Sequence, residues 1–392
     1  MAHMDPLPVD ASPFLVDGAD ATAPSPEAPS AMGLCANQMA GGPIDPRRPE
    51  TEVRPSRAAI DLSKRWPTGS KLHVVFLNGT DAWGARIRRA VREIAPTWSE
   101  YADVTFDFDQ PTAHITVNLL PQPRLGIGYG TYSAYLGMDC MSVVRQGGQP
   151  AMNLVFHPSL ANNPAWLAQE FSRVILHEFG HALGFVHEHM RPDRPIVWDE
   201  AAANRVFGAP PNNWSPSTVR EQIINVYKGG PIESGAFDPS SIMMYQFPAG
   251  LARYADGTPF ESPNNTVLSP MDKVLANLAY PKAGVDQPAE AALVAGDPPR
   301  AGAIATPGQV ARYRMRPAKP GVFTFRAEGS TPLLLSVQRD RDSAAGLLYA
   351  EEGANPSLTI RLTQSRDYFV SVRHARPTSG TGAFKVSARA SA

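Results

Sequence analysis

The stretch Ile175-Leu176-His177-Glu178-Phe179-Gly180-His181-Ala182-Leu183-Gly184-Phe185-Val186-His187-Glu188-His189 gathers the side chains best able to bind a metal and move a proton. His177 and His181 are four apart. On a helix their imidazoles stand on one face, one turn apart. Two neutral imidazoles on a rigid helix supply two corners of a tetrahedral zinc site. Glu178 stands beside the first, where a carboxylate can hold a water at the metal and take its proton. A helix that ran on would carry later residues away. Gly184 can adopt the left-handed conformation that stops a helix and turns the chain. That turn can return His187 as a third ligand. Three protein nitrogens leave one position open, the catalytic rather than the structural pattern. The bland alternative is a buried amphipathic helix with ordinary core or cap histidines, and the offsets of Gly184 and His187 argue against it.

His-Glu-x-x-His-x-x-Gly-x-x-His is the pattern of the metzincin metallopeptidases, which also carry a methionine turn downstream. Ser241-Ile242-Met243-Met244-Tyr245 stands where that turn would be. The residue after the third histidine separates metzincin families, and here it is Glu188. The run Gly184-Phe185-Val186-His187-Glu188-His189-Met190-Arg191-Pro192-Asp193-Arg194 and the Ser-Ile-Met-x-Tyr motif resemble the astacin family. The resemblance implies a zinc endopeptidase acting on proteins or peptides. It implies one catalytic Zn²⁺ on His177, His181 and His187, with Glu178 as base and Met243 beneath the metal. Tyr245 would be a swinging ligand that stabilises the transition state. Met244 departs from the family, which usually has histidine there. The two cysteines depart also, since astacin catalytic domains normally hold two disulfides. The competing class is a catalytically silent metzincin scaffold that serves as a binding module through its C-terminal part.

The elements that must position these residues divide the 392-residue chain into four parts. Residues 1–57 are rich in Pro, Ala, Ser and Asp without helical or strand periodicity, and read as a flexible pro-segment or leader. Its first four residues resemble a cloning remnant. No signal peptide follows, an absence that says little about the address; the expected address is secreted, periplasmic or extracellular, with the signal already removed. Cys35 could block the zinc as a thiolate, bond to Cys140, or be an inert thiol. An aspartate switch around Asp17 and Asp20 has the wrong spacing. Ala58-Ala59-Ile60, after Arg57, resembles the start of mature astacins. By that resemblance cleavage after Arg57 would bring Ala58 to Glu188. From the residues alone Glu188 could equally pair with Arg191 or Arg194, since charged residues are seldom buried unpaired.

Residues 58–282 are expected to form an α+β metzincin domain: a twisted, mostly parallel sheet, an active-site helix and the methionine turn. Expected strands are Lys71–Leu77, Val104–Phe108, His114–Leu119 and Met152–Phe156. A helix over Trp83–Trp98 carries Ile87, Ala90, Val91 and Ile94 on one face, and Pro96 kinks it or ends it early. The glycine-rich Leu125–Thr131 is the expected edge strand, against which an extended peptide would lie. The metal-binding helix should start at Asn163 or Pro164, and a short helical stretch should cover Val219–Tyr227. His114 reads as a satisfied strand residue.

Residues 283–301 read as a Pro/Ala/Gly-rich linker. Residues 302–392 show period-two alternation between turn residues, the pattern of an all-β sandwich. This part loosely resembles the bacterial pre-peptidase C-terminal domain. From Arg300 onward there are 14 Lys and Arg against 6 Asp and Glu, a net +8, which leaves −9 for the residues before it. That face is either solvated or docks on an anionic surface or glycan. Nucleic acid is not expected, because no base-stacking motif accompanies the arginines. No apolar run reaches the length of a membrane span.

Overall fold

The computed structural model describes residues 60–209, 212–229 and 236–391, and the backbone of two short strands at 7–8 and 232–233. Arg57, Ala58 and Cys35, with Asp17 and Asp20, therefore lie outside the described residues.

Strands β1 (Leu7–Pro8) and β2 (Ile60–Asp61) precede the sheet that carries the site. Its members are β3 (Ser70–Phe76), β4 (Val104–Asp107), β6 (Ile115–Asn118), β7 (Tyr132–Ala134) and β8 (Met152–Leu154), with the short β5 (Thr112–Ala113) pairing with β1. The order is β4-β3-β6-β8-β7, parallel throughout except for β7 on β8. The mostly parallel sheet is as expected, but the edge strand is not Leu125–Thr131. Pro123–Leu125 forms a 3₁₀ turn, and Gly126 and Gly130 take φ of 71° and 80°. Left-handed backbone there breaks the extended run, so the edge strand forms only beyond it, at Tyr132–Ala134.

The expected single helix is two: α1 (Ala82–Ile94) and α2 (Thr97–Tyr101). Asp81 caps α1 by accepting from Gly84 N, and Ile87, Ala90 and Val91 form its buried face. Pro96 cannot donate to Arg92, so the ladder ends there and restarts. The restart is useful, because it aims buried Trp98 at the site helix, where its Nε1 donates to Leu176 O at 2.8 Å. α3 (Asp139–Gln146) lies between β7 and β8, and α4 (Pro164–Ala182) is the site helix. Asn163 caps α4 through Trp166 N, with Pro164 in the first turn.

Below α4 come β9 (Ile196–Trp198), α5 (Glu200–Gly208), α6 (Pro216–Val219), β10 (Ile232–Glu233), β11 (Ala252–Tyr254), β12 (Pro259–Phe260) and α7 (Pro270–Ala279). α6 starts at Pro216 rather than Val219, because Ser215 caps Thr218 N, and it runs into a π-turn over Arg220–Ile224. Tyr227 lies beyond it. Phe207, Ile223, Met244, Phe247 and Phe260 form a separate small core there.

The C-terminal part is a two-sheet sandwich. One sheet has β13 (Ala291–Ala292), β15 (Val310–Met315), β17 (Leu333–Gln338), β18 (Leu347–Gly353) and β20 (Tyr368–His374). The other has β14 (Arg300–Ile304), β16 (Gly321–Gly329), β19 (Ser357–Leu362) and β21 (Gly382–Ala390). Phe325, Leu335, Val337, Val370, Val372 and Val386 fill the space between the sheets. The segment read as a linker contributes β13 and the first residues of β14. β18 carries Leu347 and Ala350 into the catalytic core, and Lys273 of α7 pairs with Glu352. No described helix is long and apolar enough to cross a membrane.

Candidate active site

α4 ends as the motif requires. Gly184 sits at φ 95°. Its N–H bonds His181 O at 2.7 Å, and Phe185 N bonds Gly180 O at 3.0 Å. Those two bonds are the Schellman closure of a helix. The bend returns His187 to the two helical histidines. The three rings form the only cluster of metal-binding type among the described residues, their ligand atoms lying within 4.8 Å of one another. His187 Nε2 stands 3.0 Å from His181 Nε2 and 3.1 Å from His177 Nε2.

The outer nitrogens explain what the inner ones are. His177 Nδ1 donates to Ile242 O at 2.8 Å, and His181 Nδ1 donates to Phe185 O at 2.7 Å. A carbonyl can only accept, so these rings carry their proton on Nδ1 and present a lone pair at Nε2. His187 Nδ1 faces the Met190 sulfur at 3.4 Å. Lone pairs converging at about 3 Å repel one another unless a cation stands between them, and a ligating imidazole fixed by an outer acceptor is the usual arrangement of a metal site. Burial pushes the histidines down, His181 to about 4, with His181 also depressing His177 and His187. Neutral imidazole is the form a metal takes. The residues present therefore fit Zn²⁺. Glu178, next to His177, is 1% exposed.

The methionine turn is held from below by Asp272 at the start of α7. Its carboxylate accepts from Ser241 Oγ at 2.7 Å, Ile242 N at 2.8 Å and Ser269 N at 2.9 Å. Ile242 O is thereby fixed as the acceptor for His177. Burial and the neighbouring Asp238 push Asp272 up to about 7. Met243 is fully buried against the site helix, where a Cβ on Gly180 would meet its sulfur at 2.5 Å. Glycine at position 180 lets the turn approach the helix. Met244, at the departure from the family pattern, packs in the lower core. The Tyr245 ring lies 4.4 Å from that of His187 and 4.7 Å from that of His189. His189 is no ligand: its Nε2 donates to Gln222 O at 2.9 Å.

Glu188 is 2% exposed and takes the local partner, Arg191. Glu188 Oε1 also accepts from Asp238 N at 2.8 Å, and Arg191 Nη1 donates to Ala236 O at 2.8 Å. Burial pushes the Glu188 carboxyl up to about 7 while Arg191 pulls it down. Arg194 turns away to Ile224 O and Asn225 O. Nearby, Asp61 N bonds Gly184 O at 2.9 Å, which places the start of the continuously described chain against the bend. His114 is satisfied in its strand, its Nδ1 accepting from His73 N at 2.9 Å. Cys140 is a free, buried thiol whose Sγ donates to Tyr135 O at 3.1 Å.

The three histidines that sequence reasoning singled out do meet, and Gly184 makes the bend it expected. That reasoning missed Asp272 as support and Gly180 as the point of close approach. Ser269 and Asp272 stand three apart as a capping box, a signal that could have located the first.

The sequence model of the peptidase family described as Astacin matches residues 164–205. The chain is 28% identical over 166 residues to Tolloid-like protein 1 of Mus musculus, and 26% identical over 239 residues to blastula protease 10 of Paracentrotus lividus. Those stretches cover 41% and 57% of this chain, and the chain spans only 14% and 33% of the relatives' lengths. A solved structure of myroilysin is 32% identical, covering 57% of this chain and 98% of that one, with a TM-score of 0.47. For the sandwich, a solved pre-peptidase C-terminal domain of a Bacillus anthracis collagenase matches at 8% identity and a TM-score of 0.23, covering 26% of this chain and 95% of that one, too slight to carry an argument. The family match across the metal-binding helix and the identity over nearly all of myroilysin agree with the site's geometry: the chain belongs to the astacin family of metallopeptidases.

Proposed function

We propose that this protein is a zinc-dependent endopeptidase, made as a latent zymogen and released outside the cytoplasm. The observation that carries the reading is the convergence of the Nε2 atoms of His177, His181 and His187. Zinc held by His177, His181 and His187 would polarise a peptide carbonyl and acidify the attacking water. Glu178 takes the proton from that water and returns it to the leaving amine. The Tyr245 hydroxyl donates to the carbonyl oxygen as it gains charge. Met243 and Asp272 hold the floor on which His177 is oriented. An extended substrate would pair along β7, the last strand of its sheet.

Latency rests on residues 1–57. Cys140 is a free thiol, so the alternative of a bond from it to Cys35 finds no support at that end, and Cys35 is the candidate zinc-blocking group. Active enzyme should begin at Ala58, and amino-terminal sequencing that found another start would remove that activation site. In the sandwich, Arg314 and Arg316 share Asp367. An anionic partner would therefore use the other sheet, where Arg361, Lys385 and Arg389 are exposed.

Glu178→Gln decides between enzyme and silent scaffold. It should keep metal content unchanged and lower peptide hydrolysis by about 10²–10⁴-fold. Undiminished cleavage by that variant, or none by the wild type after processing, would leave only the scaffold.

A further inference from the structure

The sandwich turns one sheet face toward the catalytic unit, and that face buries positive charge without a matching anion. Arg373 on β20 is 3% exposed. Its Nη1 donates to Asn277 Oδ1 of α7 at 2.8 Å, a neutral acceptor, and its Nε has no hydrogen-bond partner among the described residues. Among the described residues Arg373 makes no ion pair.

The strand register sets three more polar side chains on the same sheet face. Arg373 lies opposite Leu334, and Ser371 lies opposite both Ser336 and Arg312. Directly opposed and alternate residues share a face, so Arg312, Ser371 and Ser336 form the row beside Arg373. Ser336 is fully buried and its Oγ is also without a partner among the described residues. Among the described residues Arg312 has Asp342, 3.9 Å away and largely in solvent, and feels the Glu290 carboxylate nearby. Burial, with Arg312 nearby, pushes the Arg373 guanidinium down to about 9. A cavity opens between α2, α7 and the sandwich. Arg373, Tyr101, Asn277, Lys282, Gln309 and Val310 line it, no carboxylate of the described residues does, and it has room for about one water-sized particle. Lys282 is already committed to Ser99 O and Ala102 O. A buried guanidinium that keeps its proton needs a counter-charge, and the described residues supply none.

We propose that this cavity binds one small monovalent inorganic anion, a halide such as chloride, against Arg373. The anion neutralises the face and fastens the sandwich to α7. It sits apart from the histidine cluster and is read out by stability, so its failure leaves the peptidase reading untouched.

The test is thermal unfolding of the full chain in sodium chloride and in sodium gluconate at equal ionic strength. Chloride should raise Tm by about 2 °C, saturably. Arg373→Gln should abolish the difference. Lys282→Gln, a milder change in case the first variant does not fold, removes the second cation lining the cavity and should move the chloride midpoint to higher concentration by about tenfold. Crystals grown in sodium bromide should show an anomalous peak within hydrogen-bonding reach of Arg373. Equal Tm in the two salts, a chloride effect that survives Arg373→Gln, or a bromide-free cavity would each overturn the proposal and leave a water as the occupant.

Discussion

The catalytic unit and the sandwich bury different things. Around the site, polar groups are deep and chained together: Arg191 to Glu188, Glu188 to Asp238, Asp238 through Ser269 to Asp272, and Asp272 through Ile242 to His177. Between the sandwich sheets the buried set is Phe, Tyr, Leu, Ile, Val, Met and Ala, with charge on the outer faces. A chained polar interior fixes one geometry but fails when any member is left unpaired. An apolar interior tolerates rearrangement and fails by leaving a void. Damage to the first should therefore reach catalysis, while damage to the second should reach only the folded population.

That contrast can be broken by mutation. Arg191→Leu leaves Glu188 buried without its cation, and unfolding measurements should show a loss of about 3–5 kcal/mol together with weakened metal retention. Unchanged metal content in that variant would disconnect the ion pair from the site. Phe325→Ala, at the centre of the sandwich, should cost about 3–5 kcal/mol in stability while the surviving folded protein keeps its kcat/KM. A fall in kcat/KM there would mean that the sandwich acts on the chemistry. Tyr245→Phe should lower the rate about 10²–10³-fold with metal content unaltered, measured by peptide hydrolysis and metal analysis. Gly180→Ala places a methyl against the Met243 sulfur and should cost about 1–3 kcal/mol, detectable by thermal unfolding. Arg316→Ala, whose pair with Asp367 is mostly in solvent, should change stability by under about 0.5 kcal/mol. A larger effect would show that the outer arginines brace the sheet.

Motif spacing read the histidine cluster well because helical periodicity and one left-handed glycine constrain three histidines almost completely. It read the sandwich strands for a similar reason, as period-two alternation survives in short runs such as Val310–Met315 and Leu333–Gln338. It failed where local rules were overridden. Leu125–Thr131 looked like a strand by alternation, yet two glycines turned it into a loop. Leu347–Gly353 shows no clean alternation, because β18 presents residues to two partners, the sandwich interior and α7. Glu188 could not be assigned either, since Ala58 and two nearby arginines all offered it a positive charge.

The sequence by itself determined the chemistry: which nitrogens can bind a metal, where the helix must stop, and which carboxylate stands next to the first ligand. Those facts depend on bond geometry and residue type within a dozen positions. Only the tertiary structure decided which imidazole nitrogen faces inward, that Asp272 holds the methionine turn, and that Glu188 closes on Arg191. Each of those depends on groups up to about a hundred residues apart meeting in a dry interior, where an unpaired charge or carbonyl costs too much to be left alone.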